Sequence, residues 1–305
     1  MSATVLITGA SGLIGKPLVK LLLSHGYQIH VLSRKEPQYN PSFKGFKWDV
    51  KNGYIDKNCL ANVDTIIHLA GEGIAEKPWR EERKQAIISS RVDSLGLIFK
   101  ALKDNPQFQV KSLISASAVG YYGDRNDELL DENSDPGEGF LSEACVLWEK
   151  AADMSLDLNM RIVKFRTGVV LSLQGGALPQ IAGPVKYNLG TVLGSGKQWI
   201  PWIHMDDVVN AYLFALQNSS MSGTYNLSAP NPVTNKELTK SISTVLNRTL
   251  WLPNLPAIAL RIFLGEMKAV VLSSTRTRSD KIREAGFKFK FERIKEALKD
   301  LYAKD

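Results

Sequence analysis

The feature that most constrains the fold is a set of three glycines near the start of the chain. Gly9, Gly12 and Gly15 are spaced three apart, between the apolar run 5–7 and the leucine-rich segment 18–23. An apolar β-branched run, a glycine turn and a helical repeat predict a strand, a tight turn and a helix. Glycine lets a phosphate approach the backbone, and the helix N-terminus favours negative charge. The pattern therefore predicts a dinucleotide site.

A phosphate-loop nucleotide triphosphatase is excluded by two residues of the same turn. That motif needs glycine where Ala10 stands and serine or threonine where Pro17 stands. The glycine turn thus indicates a dinucleotide rather than a triphosphate.

Composition narrows the class of protein. The chain has 305 residues, 44% of them hydrophobic, which suffices for a large core. Cys59 and Cys145 lie far apart and the four histidines follow no ligand spacing, so neither disulfides nor a metal site are predicted. No leader or spanning segment is evident, which makes the cytoplasm the expected compartment. The net charge of +7 contains no long basic run, and we expect neither a nucleic-acid nor a membrane partner.

The rest of the chain alternates apolar strands with helical segments, which predicts an α/β fold with a doubly wound, mainly parallel Rossmann sheet. From Gly168 onward, frequent glycines and prolines break this alternation. We predict a dinucleotide-binding domain over 1–167, to which 199–220 return. A smaller C-terminal α/β lobe is predicted from 168–198 and 221–305.

The end of the second strand favours NADP(H) over NAD(H). Enzymes that prefer NAD place an acid there to hold the ribose 2′-hydroxyl, but this chain has Ser33, Arg34 and Lys35. A guanidinium can bind a 2′-phosphate through two parallel hydrogen bonds. Glu36, slightly later, is the competing acid.

Further cofactor contacts are predicted at the ends of the following strands. Asp49 stands where a carboxylate could meet the adenine amino group, and small residues after the strand at 63–68 let backbone approach the cofactor. The predicted cofactor-binding residues are Thr8, Gly9, Ser11, Gly12, Leu13, Ile14, Gly15, Ser33, Arg34, Lys35, Asp49, Leu69, Ala70, Gly71 and Arg166.

These motifs together resemble the extended short-chain dehydrogenase/reductase superfamily, which includes nucleotide-sugar epimerases and dehydratases. The matching segments are TGASGLIG at 8–15, HLAG at 68–71, SAS at 115–117 and WIHMDD at 202–207. Within it, the chain is similar to an "epimerase family" subgroup, sometimes labelled cell-division-inhibitor-like. That narrower likeness depends on 117–123, 147–150, 165–171 and 194–198.

One departure from the superfamily bears on the chemistry. Its members use a Tyr-x-x-x-Lys pair on the helix after the serine-bearing strand, and the lysine and the cofactor ribose activate the tyrosine as a proton shuttle. Counted back from Glu149, these positions hold Leu141 and Cys145. Tyr121 has Arg125 four residues later, but on a segment predicted to be irregular.

Two functions are consistent with the sequence. The first is an NADP(H)-dependent oxidoreductase or epimerase-like enzyme, with a hydroxyl or carbonyl substrate bound in the cleft between the lobes. Its candidate catalytic residues are Ser117, to polarise a carbonyl, and Tyr121 or Tyr122, to donate a proton, with His204 and Glu143 behind them. The second is a non-catalytic NADP(H)-binding sensor or scaffold. Homodimerisation is left open.

Overall fold

A computed structural model describes residues 3–35 and 40–303. Its strands are β1 (Thr4–Thr8), β2 (Gln28–Ser33), β3 (Lys44–Asp49), β4 (Tyr54–Ile55), β5 (Val63–His68), β6 (Ser112–Ala118), β7 (Leu129–Leu130), β8 (Arg161–Thr167), β9 (Val169–Leu171), β10 (Trp199–Ile200), β11 (Trp202–His204), β12 (Gly223–Leu227), β13 (Val233–Thr234) and β14 (Arg276–Thr277). Its α-helices are α1 (Gly15–Ser24), α2 (Glu81–Lys103), α3 (Phe140–Asp153), α4 (Ala177–Lys186), α5 (Met205–Gln217), α6 (Asn235–Val245), α7 (Ala257–Leu264), α8 (Lys268–Leu272), α9 (Asp280–Glu284) and α10 (Ile294–Ala303).

The main sheet has eight strands in the order β12-β8-β6-β5-β1-β2-β3-β4. All neighbouring strands are parallel except β4, which runs antiparallel to β3. The reversal of strand order at β1 places a crevice at the carboxyl ends of β1 and β5, where doubly wound sheets bind ligands. The predicted Rossmann fold is confirmed.

Helices cover both faces of this sheet because its strands are apolar on both sides. On β1, Val5 and Ile7 join the cluster beneath α1 and α5, whereas Leu6 joins the cluster beneath α2 and α3. Both clusters contain fully buried aliphatic side chains. The strand that leads into the glycine turn is therefore fixed from both faces.

A third apolar cluster forms the core of the smaller lobe. It joins α4, α6 and α10 around the buried Trp202 of β11, with Leu178, Leu238 and Leu298 among its members. β11 pairs in parallel with β9, and β10 pairs antiparallel with β13. These short strand pairs tie the lobe to the segment that leaves β8.

The predicted domain boundary needs correction. β12 was assigned to the smaller lobe, but it forms the edge of the main sheet, with Gly223 opposite Val163 and Leu227 opposite Thr167. Ile282 of α9 and the following Phe287 also pack in the cluster beneath α1 and α5. Conversely, β10 was predicted to return to the larger domain with 199–220, but it pairs with β13 of the smaller lobe. The sheet needs β12 to cover the outer side of β8, a requirement that composition alone does not reveal.

Aromatic and basic residues alternate over 287–291, a pattern typical of a strand, but within the described part of the chain 287–293 contains no strand. Phe287, Phe289 and Phe291 are all buried, as the alternation indicates. However, the backbone N–H groups of Lys290 and Phe291 donate to the buried carboxylate of Asp207, at 2.7 and 3.1 Å. A side chain of α5 thus replaces the neighbouring strand.

Among the described helices, none combines the length and the apolar character needed to cross a bilayer.

Candidate functional site

The glycine turn links β1 to α1 through contacts that exclude larger side chains. Gly9 has a φ of +70°, and a Cβ there would lie 2.7 Å from the carbonyl of Leu69. A Cβ on Gly15 would collide with the Gly9 carbonyl oxygen and with Ala10. These two glycines are needed for close packing of strand, turn and helix.

Gly12, in contrast to Gly9 and Gly15, is not packed closely against the rest of the protein. Its N–H donates to the Gly9 carbonyl at 2.9 Å, which closes the turn. A Cβ there would lie 3.1 Å from the Gly9 carbonyl oxygen, and apart from the chain neighbours no other atom of the described residues comes within 4 Å, so the position faces open space. Ser11 and Gly12 are exposed at the start of the helix. The turn therefore offers the concave, positively polarised backbone that a pyrophosphate needs.

The smaller lobe reaches the glycine turn through the loop before α4. Gly176 has a φ of +78°, and a Cβ there would lie 3.2 Å from the Leu13 side chain. Leu13 is one of the predicted cofactor residues. The cleft at the turn is thus bounded by both lobes.

Arg34 lies at the end of β2 with 80% of its side chain exposed. Its Nη1 is 3.2 Å from Oε1 of Glu72, and the other oxygen of Glu72 accepts from Arg83 at 3.0 Å. Hydrogen bonds from Arg83 lower the pKa of Glu72, which stays ionised. Arg83 remains a partner for Glu72 if Arg34 turns to another anion.

Ser33 and Lys35, the residues on either side of Arg34, contact each other. Ser33 Oγ accepts from the backbone N–H of Lys35 at 3.2 Å, and Lys35 is exposed. Glu36, the competing acid, lies outside the described residues.

Asp49 has a local structural partner. Its two carboxylate oxygens accept from the backbone and side-chain N–H groups of Asn52, at 3.1 and 2.7 Å. These hydrogen bonds lower the pKa of Asp49. They hold the turn between β3 and β4, so the predicted adenine contact would have to share a carboxylate that already has partners.

The strand end at β5 is held against the glycine turn by Thr8. Its hydroxyl oxygen accepts from the N–H groups of Leu69 and Ala70, both at 3.1 Å. A Cβ on Gly71 would come within 2.8 Å of the buried Arg91 guanidinium, whose Nη2 donates to the carbonyl of Glu72 at 3.0 Å. The small residues predicted to admit the cofactor are brought next to its turn.

His68 and His204 have structural positions. His68 is fully buried with Nε2 2.8 Å from Ser94 Oγ, and burial lowers its pKa to about 3. His204 Nδ1 accepts from the N–H of Asp206 and caps α5, while Nε2 lies 3.4 Å from the carboxylate of Asp300. Both histidines hold elements together rather than face the glycine turn.

A buried ion pair joins the carboxyl end of β8 to helix α3. Arg166 donates from Nε and Nη2 to the two oxygens of Glu149, at 2.8 and 3.0 Å, and both side chains are less than 10% exposed. Burial alone would lower the pKa of Arg166, but the Glu149 hydrogen bonds and charge outweigh it and raise that pKa. Arg166 was predicted to bind cofactor; here its guanidinium is bound by Glu149.

Two of the predicted catalytic hydroxyls belong to this network. Ser117 Oγ donates to Glu149 Oε1 at 2.7 Å. The Tyr122 hydroxyl accepts from Arg166 Nη1 at 3.0 Å, and its one proton has two acceptors within reach, Oδ1 of Asn226 at 2.6 Å and the carbonyl of Asp131 at 2.8 Å. Burial raises the pKa of Tyr122 to about 12, so it stays protonated at neutral pH. The hydroxyl protons of Ser117 and Tyr122 are therefore both donated to acceptors inside the protein.

Tyr121 differs from both. It is partly exposed, and its hydroxyl has no hydrogen-bond partner among the described residues. Its carbonyl accepts from Gly137 N–H at 2.9 Å and from Ser142 Oγ at 2.8 Å. The Arg166 guanidinium carbon lies 3.4 Å from the centroid of its ring, a stacked cation–π contact. Its backbone and ring are thus fixed while its hydroxyl stays available.

The positions of the usual Tyr–Lys pair are apolar here. A Cβ on Gly120 would lie 3.4 Å from Leu141 Cβ and 3.6 Å from Cys145 Sγ, so both residues pack under the segment that carries Tyr121. Burial raises the pKa of Cys145 to about 12, which keeps the thiol neutral. The helix after β6 therefore presents no titrating proton shuttle at these positions.

Sequence reasoning missed four polar residues of this region: Glu72, Arg91, Glu149 and Asn226. Glu149 was noted only as a motif residue, although an acid on a helix otherwise buried at Trp148 and Ala152 signals an internal partner. Asn226 lies on β12, which was assigned to the other lobe. Its side chain donates to the carbonyl of Arg278 at 2.9 Å.

A groove of about 730 Å³ lies between α2, α3 and 266–269. Trp79, Phe140 and Glu143 line it, as do Gly137 and Ser142, which hold the Tyr121 carbonyl. Glu143, which the sequence suggested as a further catalytic candidate, thus lines this groove.

Two family models match this chain. The model of the NAD dependent epimerase/dehydratase family matches residues 5–228, and a domain of unknown function (DUF1731) matches residues 255–301. The chain belongs to the NAD-dependent epimerase/dehydratase family.

Relatives of this epimerase-family protein match it along nearly its whole length. The chloroplastic SDR39U1 homolog of Arabidopsis thaliana is 37% identical over 97% of this chain and 86% of its own. The human epimerase family protein SDR39U1, crystallised with NADPH, is 29% identical with a TM-score of 0.86 over 98% and 99% of the two chains. The NAD complex of Thermus thermophilus UDP-glucose 4-epimerase, 18% identical with a TM-score of 0.73 over 98% and 99%, shares the fold.

Replacement of Glu149 by glutamine should strongly destabilise the protein. Arg166 would keep its charge without a carboxylate in a buried site, which costs about 3–5 kcal/mol. Urea unfolding measures the free energy of unfolding. The control Asp104→Asn removes an exposed ion pair with Lys100 and should change it by less than about 1 kcal/mol. Equal effects of the two substitutions would contradict the stabilising role of the buried pair.

Gly12→Val should abolish dinucleotide binding while the protein stays folded. The branched side chain would fill the open space that Gly12 faces at the turn. NADPH titration by fluorescence measures binding, and circular dichroism checks the fold. Wild-type affinity in a folded variant would show that the pyrophosphate binds elsewhere.

Proposed function

We propose that this protein binds NADPH at the glycine turn, in preference to NADH, and uses it to reduce a carbonyl group of a small molecule in the cleft between the lobes. The observation that supports the cofactor preference best is the exposed Arg34 at the end of β2. Arg83 keeps Glu72 paired when Arg34 moves, so Arg34 can bind a 2′-phosphate without leaving Glu72 unpaired. The NADPH complex of human SDR39U1 supports this preference.

The bound nicotinamide supplies the hydride for such a reduction. This chain must then supply a proton to the carbonyl oxygen. Ser117 donates to Glu149, and the Tyr122 hydroxyl donates to acceptors inside the protein, which leaves Tyr121 as the proton donor of the three predicted residues. Ser117 acts here as a positioning residue for Glu149 rather than as a donor to the carbonyl.

The absence of a Tyr–Lys pair favours reduction over oxidation. A neutral tyrosine has a proton to give, but it is a poor base for the reverse reaction near neutral pH. Arg166 stacks on Tyr121 and places a positive charge next to the phenolate that forms after proton transfer. Epimerisation needs both oxidation and reduction of the substrate, so this arrangement supports it less well.

A non-catalytic NADP(H)-binding module is the second candidate. The packing of Leu141 and Cys145 under Gly120 favours it, because these positions carry the acid–base pair in the superfamily. NADPH oxidation against a panel of carbonyl compounds separates the two candidates. Tight NADPH binding without turnover of any compound would favour the module.

Arg34→Ala should weaken NADPH binding and leave NADH binding nearly unchanged. The loss of a charged bidentate contact at a partly solvated site should cost about 1–3 kcal/mol. Calorimetric titration of both cofactors measures the two affinities, with Lys57→Ala as the control for a lost surface charge. Equal NADPH and NADH affinities in wild type, unchanged in Arg34→Ala, would contradict the proposal.

Tyr121→Phe should lower the single-turnover rate of NADPH oxidation by roughly 10²–10⁴-fold, because the variant loses general acid catalysis. Stopped-flow absorbance at the NADPH band measures the rate. Tyr54→Phe is the matched control, because its half-exposed ring lies on the edge strand β4, outside the Arg166 network. A full rate in folded Tyr121→Phe would exclude this residue as the donor.

A further inference from the structure

The most apolar stretch of the smaller lobe lies on the surface. Of the 22 residues in 251–272, 15 are apolar (Trp251, Leu252, Leu255, Ala257, Ile258, Ala259, Leu260, Ile262, Phe263, Leu264, Met267, Ala269, Val270, Val271 and Leu272). Within this fully described segment, Leu260 alone is buried. Such an apolar composition is typical of a protein core, but most side chains of this segment are not buried in the core of the protein.

Three side chains of α7 stand clear of their surroundings. Ile258, Ile262 and Phe263 are 69%, 76% and 84% exposed. Ile258 and Ile262 lie one helical turn apart, and Phe263 follows directly. These three residues and Arg261 between them are called the α7 face. Protruding apolar side chains of this size on a water-exposed helix indicate a surface that is covered in the working state.

The charge of the same region is positive. Arg261 lies on the α7 face and is exposed, and Lys268 begins α8. Among the described residues no ion pair is found for either of them. The one acid of 251–272, Glu266, pairs at 2.7 Å with Lys84 of α2, which also pairs with Glu81. The segment itself thus carries two basic residues against one acidic residue. The α7 face is therefore apolar and cationic together.

Exposed apolar side chains next to basic ones are typical of surfaces that bind anionic membranes. Apolar side chains enter the boundary between headgroups and acyl chains, while arginine and lysine bind the lipid phosphates. A helix of eight residues is about 12 Å long, far short of a bilayer, so α7 would lie in the plane of the surface. A second copy of this chain fits less well, because a twofold contact at α7 would bring like-charged Arg261 residues together.

We infer that the α7 face binds the surface of bilayers that contain anionic phospholipids, with Ile258, Ile262 and Phe263 inserted and Arg261 and Lys268 at the headgroups. The association is peripheral and independent of the cofactor site. It is an alternative to the sequence-based prediction that the protein has no membrane partner.

The test is co-sedimentation of the full chain with vesicles. Equal mixtures of phosphatidylglycerol and phosphatidylcholine are compared with phosphatidylcholine alone, in low salt and in 0.5 M NaCl. Wild type should pellet with the anionic vesicles, at least tenfold more than with neutral ones, and high salt should weaken the binding. The double variant Ile262→Glu/Phe263→Glu should lose at least tenfold of the partitioning.

The matched control is Met154→Glu/Leu156→Glu, which alters two apolar side chains that are 51% and 60% exposed elsewhere on the surface. It should pellet like wild type, and all variants should keep NADPH affinity and melting temperature. Three results would overturn the inference: no pelleting of wild type, equal loss in both double variants, or a wild-type dimer that Ile262→Glu/Phe263→Glu converts to monomer without any effect on vesicle binding.

Discussion

The buried ion pair between Arg166 and Glu149 is the interaction on which the candidate site depends. Two charges removed from water are stabilising only when their hydrogen bonds are satisfied. Arg166 meets this condition with both oxygens of Glu149, the Tyr122 hydroxyl and the carbonyl of Glu132. One side chain thereby connects α3, β8 and the segment after β6, and Tyr122 extends the network to β12 through Asn226.

In the proposed function, this network sets the chemistry of the chain apart from that of its superfamily. The positive charge next to the candidate donor comes from the strand β8 rather than from the helix α3, where Cys145 stands. Arg166 contacts the face of the Tyr121 ring, and Glu149 holds Arg166 in that position. Ser117 completes the coordination of Glu149. In the proposed function, a tyrosine stacked on a fixed guanidinium takes the place of the superfamily's acid–base pair.

The local parts of this structure could be predicted from the sequence, and the long-range parts could not. The strand, turn and helix at Gly9–Gly12–Gly15 follow from neighbouring residues, because glycine alone tolerates the contacts found at Gly9 and Gly15. The position of β12 depends on which strand pairs with β8, some 60 residues earlier. The direction of the Ser117 hydroxyl depends on Glu149, 32 residues away. Residue spacing carries no information about such partners.

The most direct test of this account is a crystal structure of the protein with NADPH. We expect the pyrophosphate against the backbone N–H groups of the turn at Gly12, the 2′-phosphate on Arg34, and the nicotinamide facing the Tyr121 hydroxyl, with Ser117 still bonded to Glu149. A nicotinamide that faces Ser117 instead, with the serine released from Glu149 and Tyr121 turned away, would contradict the central role of the Arg166 network.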